Sequence, residues 1–145
     1  MEAIDKFEGE FAFLSNFYPS LVVYENVHYP TVEHAYQAAK SEDSSIRRIM
    51  AFHKYPAQAK KAGKYIKLRK DWDLVKLGIM EELVTQKFQD PALREMLDLT
   101  VGYELIEGNW WGDTFWGVCR GQGHNHLGHI LMNIRDNNER SIETK

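Results

Sequence analysis

Between Pro30 and Lys40 the chain has few choices of what to become. Pro30 disfavours a helical residue ahead of the start, and Thr31 offers a side-chain oxygen to the free N–H groups of a first turn. Val32, Ala35 and Ala39 are small, apolar and on one side of a helix drawn over this stretch. Glu33, Tyr36, Gln37 and Lys40 recur at three- and four-residue spacing on another side. Glu33 stands in the first turn, where the helix dipole favours negative charge. The spacing predicts a core-packed helix over 31–40 with a carboxylate and an amine two turns apart. Burying such groups is costly unless they are paired or used. The alternative is a surface Glu and Lys whose apolar stems snorkel along the helix.

The segments around this helix follow from their punctuation. Residues 1–29 read as β. Phe11 and Phe13 alternate around Ala12 to suggest a first strand, and 21–24 and 27–29 form a hairpin turned by Glu25-Asn26. Helices are expected over Ser44 to His53, with Ile46, Ile49, Met50 and His53 inward, and from Pro56 to Gly63. A connector over 64–70 leads to Asp71, a cap for the longest helix, roughly Trp72 to Gln89. Its stripe is Val75, Ile79, Leu83 and Val84, broadened by Leu74, Leu77, Met80 and Phe88. Asp90-Pro91 opens a further helix with Leu93, Met96 and Leu97 inward, and 103–107 alternates as a strand. Asn125 caps a last helix with Leu127, Ile130, Leu131 and Ile134 inward, and the tail 137–145 is expected to fray. The sum is one α+β domain, mostly helical, with a small antiparallel β element.

Composition narrows the class of function. A chain of 145 residues with 43% hydrophobic and 12% aromatic content is globular. No apolar run reaches the length of a membrane span and the N-terminus is too acidic for a signal peptide, so a cytoplasmic protein is expected. The single cysteine, Cys119, forms no internal disulfide and reads as a small buried residue. The six histidines make no convincing ligand set, so neither metal nor other cofactor is expected. Behind the net charge of -3, half of the 18 basic residues lie between Ser44 and Lys70, a stretch without a single acid. Such a band suits a phosphate ester, dinucleotide or nucleic acid, or else a set of solvated helix faces.

Three further features point to chemistry. Asn16, Phe17 and Tyr18 lie in a loop that could hold a planar base and a sugar, or simply fill a core. Gly108 to Gly117 gathers Trp110, Trp111 and Trp116 around one carboxylate, Asp113. Gly121 and Gly123 lead into the helix start at Asn125, where free backbone N–H groups would form an anion site. Two carboxylates from distant parts of a chain, Glu33 and Asp113, can serve glycoside chemistry. One stabilises an oxocarbenium-like transition state and the other handles a proton or water.

The segments 13–18, 29–40, 68–72 and 111–128 occur in the order and spacing of the NADAR family, the YbiA-like proteins, which the chain resembles from about Phe11 to Arg135. The resemblance implies an α+β, YbiA-like fold and N-glycosidase activity on a ribose C1–N bond. The bond would lie in phosphoribosylamino-pyrimidine intermediates of riboflavin synthesis, or between ADP-ribose and a modified guanine in DNA or RNA. It further implies catalytic roles for Glu33, Asp113 and Trp72, and Lys40, two turns past Glu33, is a further catalytic candidate. Ligand contacts are implied at Asn16, Phe17, His34, Tyr36, Arg69, Lys70, Trp111, Gly112, Gly121, Gly123 and Asn125. Where many relatives carry Lys or Arg in the glycine turn, this chain has Gln122, His124 and His126, which leaves more of the anion binding to backbone N–H groups and the basic band. In the expected mechanism Glu33 acts as a carboxylate, Asp113 orients a hydroxyl or assists the leaving nitrogen, and Trp72 walls the pocket. Lys40 is either a neutral amine that forms a Schiff base with an opened ribose or a counter-ion. The class-level alternative is a non-enzymatic NAD or ADP-ribose binding module.

Overall fold

The computed structural model describes residues 2–143, with side chains described through residue 137. In chain order the elements are β1 (Ala3–Ile4), a 3-10 helix (Gly9–Leu14), β2 (Val22–Tyr24), β3 (Val27–Tyr29), α1 (Val32–Ala39), α2 (Ser44–Met50), α3 (Pro56–Gly63), α4 (Trp72–Lys87), α5 (Pro91–Asp98), β4 (Glu104–Leu105), β5 (Gly108–Asn109), β6 (Val118–Cys119) and α6 (His126–Glu143). The fold is α+β and mostly helical, as expected. Residues 16–87 form one compact unit; residues 1–15 and 88–145 form a second.

In the first unit α1 is enclosed by α2, α3, α4 and the β2–β3 hairpin. The hairpin is antiparallel, with Val22 opposite Tyr29 and Tyr24 opposite Val27. Glu25 and Asn26 both take positive φ, 47° and 66°, as a two-residue turn matched to strand twist requires. Thr31 caps α1 as predicted, its hydroxyl accepting from His34 N at 3.1 Å. Both faces of α1 are enclosed: all eight residues are buried, the polar ones included. α3 begins at Pro56 and ends at Gly63, and α4 buries Ile79, Met80, Leu83 and Val84.

Several inward assignments fail on α2 and α4. Ile49 is exposed, as is Leu77, and Leu74 is 88% exposed. Helical spacing marks a stripe, but its width depends on what packs against it. Asp71 opens α4 through its backbone carbonyl, which accepts from Leu74 N and Val75 N, while its carboxylate is held by Arg69 Nε at 2.6 Å and Nη2 at 3.1 Å.

In the second unit the expected first strand is a 3-10 helix over Gly9–Leu14. Phe13 and Leu14 are buried and adjacent, which a strand would set on opposite faces; the two-residue alternation around Ala12 was too short to fix a period. Only Glu104–Leu105 of the expected 103–107 strand pairs, in parallel with Ala3–Ile4. A second parallel pair, Gly108–Asn109 with Val118–Cys119, lies inside the predicted loop. Both arise between segments distant in sequence, so no local alternation announces them. Asp90 caps α5 as expected, accepting from Ala92 N and Leu93 N. α6 runs to Glu143, and most of the tail expected to fray lies outside the residues with described side chains.

Lys87, at the end of α4, escaped the sequence reading. It is 1% exposed with Nζ 5.8 Å from the centroid of the Tyr18 ring, and burial lowers its pKa to about 7. An unfolded lysine holds its proton to about pH 10.4. Between these values the unfolded chain binds more protons, so stability rises with pH from about 7 toward 10, and the cost of burial is complete below 7. Urea unfolding of wild type and Lys87→Met between pH 6.5 and 9.5 tests this. The wild type is expected to gain stability relative to the variant as pH rises; parallel curves would remove Lys87 as the cause.

Candidate active site

The polar face of α1 gathers most of the expected site within residues 16–87. Glu33 is buried in the first turn, and its carboxylate Oε2 accepts from Gln37 Nε2 at 2.6 Å. Its backbone N–H donates to the Asn16 carbonyl at 3.1 Å, so the Asn16 loop is tied to the start of the helix. The Asn16 side chain is itself buried, with Nδ2 3.4 Å from Met80 Sδ. One turn past Glu33, the Tyr36 ring lies 5.1 Å from that of Trp72, tilted by 52°, and both residues are buried. Lys40 closes the face, its Nζ 5.7 Å from the Tyr36 ring centroid. From α3, Lys60 reaches over the half-exposed Phe17 ring at 5.9 Å.

The electrostatics of Lys40 bear on its role. Burial lowers its pKa; the Glu33 carboxylate opposes this, and the like charges of Lys60 and Lys76 add to it. A larger share of neutral amine results than for a solvated lysine. The carboxylate and the amine thus share one face of α1, with the Tyr36–Trp72 ring pair beside them.

Two expected ligand contacts have other work. His34 is fully buried, with Nδ1 2.8 Å from Thr31 Oγ1 and Nε2 2.8 Å from the His53 carbonyl. Since a carbonyl only accepts, Nε2 carries the proton, and Nδ1 receives the Thr31 hydroxyl proton. Burial lowers the His34 pKa, in keeping with this neutral ring. Arg69 grips Asp71 and donates to the Tyr24 hydroxyl at 3.2 Å, and its N–H meets the Lys40 carbonyl at 2.8 Å. The hydrogen bond to Asp71 raises the Arg69 pKa, and the same bond lowers that of Asp71. Both residues brace the first unit. Lys70 is exposed.

The remaining expected residues lie in the second unit. Asp113 Oδ1 accepts from Phe115 N at 3.1 Å and Trp116 N at 2.9 Å, folding the loop into an Asx turn. Asn109 brackets the same residue, donating to the Asp113 carbonyl at 2.8 Å and accepting from its N–H at 3.0 Å. Trp110 is 83% exposed and Trp111 49% exposed, with ring centroids 5.6 Å apart, edge to face. With Arg120, Gly121, Glu107 and Lys6 they line a cavity of about 660 Å³. Gly112 has φ 88°, a turn that favours glycine.

The anion site expected at the start of α6 is corrected by the hydrogen bonding. The N–H groups of His124, Asn125, His126 and Leu127 donate to the carbonyls of Thr114, Gly117, Phe115 and Trp116. The glycine turn is a clasp for the Trp-rich loop, and these four N–H groups are engaged there. Asn125 is buried, and its amide donates to the Leu105 carbonyl at 2.9 Å and accepts from Glu107 N at 3.0 Å. It starts the helix with its backbone alone. Gly123 has φ 149°, and a Cβ there would strike the Gly117 carbonyl, so it is needed for close backbone approach. His124 and His126 stack at 5.4 Å, and His126 packs on Phe115 at 4.5 Å.

Comparison with known proteins finds matches over most of the chain. The NADAR domain family model matches residues 5–137. An N-glycosidase of Nostoc punctiforme is 41% identical over 129 residues, covering 84% of this chain and 82% of that protein. N-glycosidase YbiA of Escherichia coli K12 is 33% identical over 126 residues, covering 84% and 78%. A riboflavin biosynthesis protein of Vibrio vulnificus is 34% identical over 128 residues, but the match spans only 35% of its length. The NMR structure of E. coli YbiA superposes with a TM-score of 0.82 at 31% identity, covering 99% of this chain and 89% of that one.

Asp113 holds a turn and is also a candidate for chemistry, and substitution tests the first role. An asparagine keeps the Oδ1 acceptor, so Asp113→Asn is expected to unfold in urea within about 0.5 kcal/mol of wild type. Asp113→Ala is expected to lose about 1–2 kcal/mol. Equal losses for both variants would show that the turn does not depend on the acceptor.

Proposed function

The chain belongs to the NADAR family, and from that premise we propose that it is an N-glycosidase that hydrolyses the ribose C1–N bond of phosphoribosylamino-pyrimidines. The observation that carries this reading is the buried Glu33 carboxylate, held in the first turn of α1 beside the Tyr36–Trp72 ring pair and followed by Lys40. The substrate class is supported by relatives named riboflavin biosynthesis proteins, of Vibrio vulnificus and of maize, of which this chain spans about a third or less.

In the proposed step the C1–N bond breaks and its electron pair leaves with the nitrogen, which takes up a proton. The carboxylate of Glu33 stabilises the developing positive charge at C1 and accepts a proton from water as the hydroxide equivalent adds. Trp72 and Tyr36 wall the site with apolar surface, which strengthens the charge interactions within it. Lys60 and Lys40 supply positive charge for the phosphate. Lys40 has a second route: its lowered pKa favours a neutral amine able to form a Schiff base at C1 of an opened ribose.

A second substrate, ADP-ribose on a modified guanine in nucleic acid, is favoured by one observation. The acid-free stretch from Ser44 to Lys70 also carries exposed Phe52, Tyr55 and Tyr65 among its lysines, a combination suited to stacking bases along a phosphate backbone.

Three experiments test these readings. Incubation with a phosphoribosylamino-pyrimidine and, separately, with ADP-ribosylated guanine DNA is expected to release free base or ADP-ribose; binding without release from either would point instead to a non-enzymatic reader. Glu33→Gln is expected to lower kcat at least about a hundredfold with binding largely kept, and near-normal turnover would remove Glu33 from catalysis. Borohydride in the presence of substrate is expected to trap an adduct on Lys40 only if the Schiff-base route operates. No adduct, with turnover retained in Lys40→Ala, would leave Lys40 a counter-ion.

A further inference from the structure

We propose that Gln37 and Gly63 form a positioning device for the Glu33 carboxylate: the Gln37 amide donates to Glu33, and Gly63 is glycine because a side chain there would evict that amide. The inference rests on Glu33 as the working carboxylate.

Glu33 and Gln37 are one turn apart on the same face of α1, and Gln37 Nε2 lies 2.6 Å from Glu33 Oε2 with both residues buried. A carboxylate only accepts, so the nitrogen of the amide must face it. That orientation has a cost. Gln37 is 4% exposed, and its Oε1 has no N–H or O–H partner among the described residues. Buried acceptors are seldom left this way. Flipping the amide would turn a carbonyl oxygen onto the carboxylate, so the orphaned acceptor is the lesser penalty as long as Glu33 is ionised.

Gly63 explains where that oxygen goes. It is the last residue of α3, and a Cβ built on it would fall on Gln37 Oε1. Its φ is not in the positive region, so its backbone conformation does not call for glycine. Glycine also lowers helix stability relative to alanine. What remains is space: α3 approaches α1 closely at this point, and Oε1 occupies the volume a side chain would take.

The other charged and titratable groups around α1 are accounted for. Lys40 on the same helix acts on Glu33, and Lys60 from α3 and Lys76 from α4 act on Lys40. His34 is bonded to Thr31 and the His53 carbonyl. Arg47 of α2 lies over the Tyr24 ring of β2, and Tyr29 of β3 donates to the Arg47 carbonyl. Gln37 donates directly to the carboxylate and holds its oxygen in place as a charge alone would not.

The experiment is a carboxyl 13C NMR titration of Glu33 in wild type, Gln37→Leu, Gly63→Ala and the double variant, with thermal unfolding to check each fold. Losing the donor disfavours the ionised form, so Gln37→Leu is expected to raise the Glu33 midpoint by about one pH unit or more. Gly63→Ala is expected to raise it likewise, and the double variant to match Gln37→Leu, since the glycine then has nothing left to accommodate. With a phosphoribosylamino-pyrimidine as substrate, Gln37→Leu is expected to lower kcat about tenfold with little change in KM, and to move the acid limb of the rate profile to higher pH. A Glu33 midpoint unmoved in Gln37→Leu overturns the proposal, and additive effects in the double variant overturn the part assigned to Gly63. If Gly63→Ala does not fold, the Gln37→Leu titration decides alone. Full turnover of Glu33→Gln, with the titration as expected, would instead overturn the catalytic role of Glu33 and leave the hydrogen bond standing.

Discussion

Every group on α1 has to find its partner inside the protein, because none of the eight residues of the helix faces solvent freely. An eight-residue helix is too short to persist alone. It is held by the elements that enclose it, and the polar side chains it carries are held by the same contacts. Thr31, His34 and the His53 carbonyl form one chain of bonds that fixes the helix start against the residues following α2. The Asn16 carbonyl takes the Glu33 N–H, and the Lys40 carbonyl takes the Arg69 N–H. The helix is therefore anchored at both ends by backbone bonds to loops, and its carboxylate sits between those anchors. A carboxylate held this way has little to reorganise when a charge appears beside it.

The second unit solves a different problem. A loop with three tryptophans and several glycines has no regular structure to satisfy its backbone. The start of α6 does so instead, presenting four N–H groups to four loop carbonyls. Asp113 and Asn109 complete the clasp from within the loop. An anion at that helix end would compete with the loop for the same donors. The glycine turn itself carries Gln122, His124 and His126, and the chain concentrates its lysines between 44 and 70.

Much of the architecture could be read from local chemistry. The position of the hairpin turn at Glu25-Asn26, the Thr31 and Asp90 caps, and the Pro56 and Gly63 limits of α3 could each be read from one or two residues. The 3-10 helix at Gly9–Leu14 and the two parallel strand pairs could not be read, the first because three residues do not define a period, the others because their partners are about a hundred and about ten residues away. Among the site residues, Glu33, Tyr36, Lys40 and Trp72 stand together as the pattern suggested. His34 and Arg69 carried the same motif signal but serve the frame. A motif records that a residue is required, and support and contact with substrate require it equally.

Sequence by itself determined where the helices and the hairpin lie, that α1 carries a carboxylate and an amine two turns apart, and which family the chain resembles. Those are properties of neighbours along the chain, set by backbone preference and spacing. Tertiary structure alone decided that α1 is buried on every side, that the α6 N-terminus is spent on a loop, that Lys87 is enclosed, and that Gly63 marks the place where a glutamine amide from another helix needs room. Each of these depends on which surfaces meet, and burial, desolvation and the fate of a free N–H are set by the atoms that arrive from elsewhere in the chain.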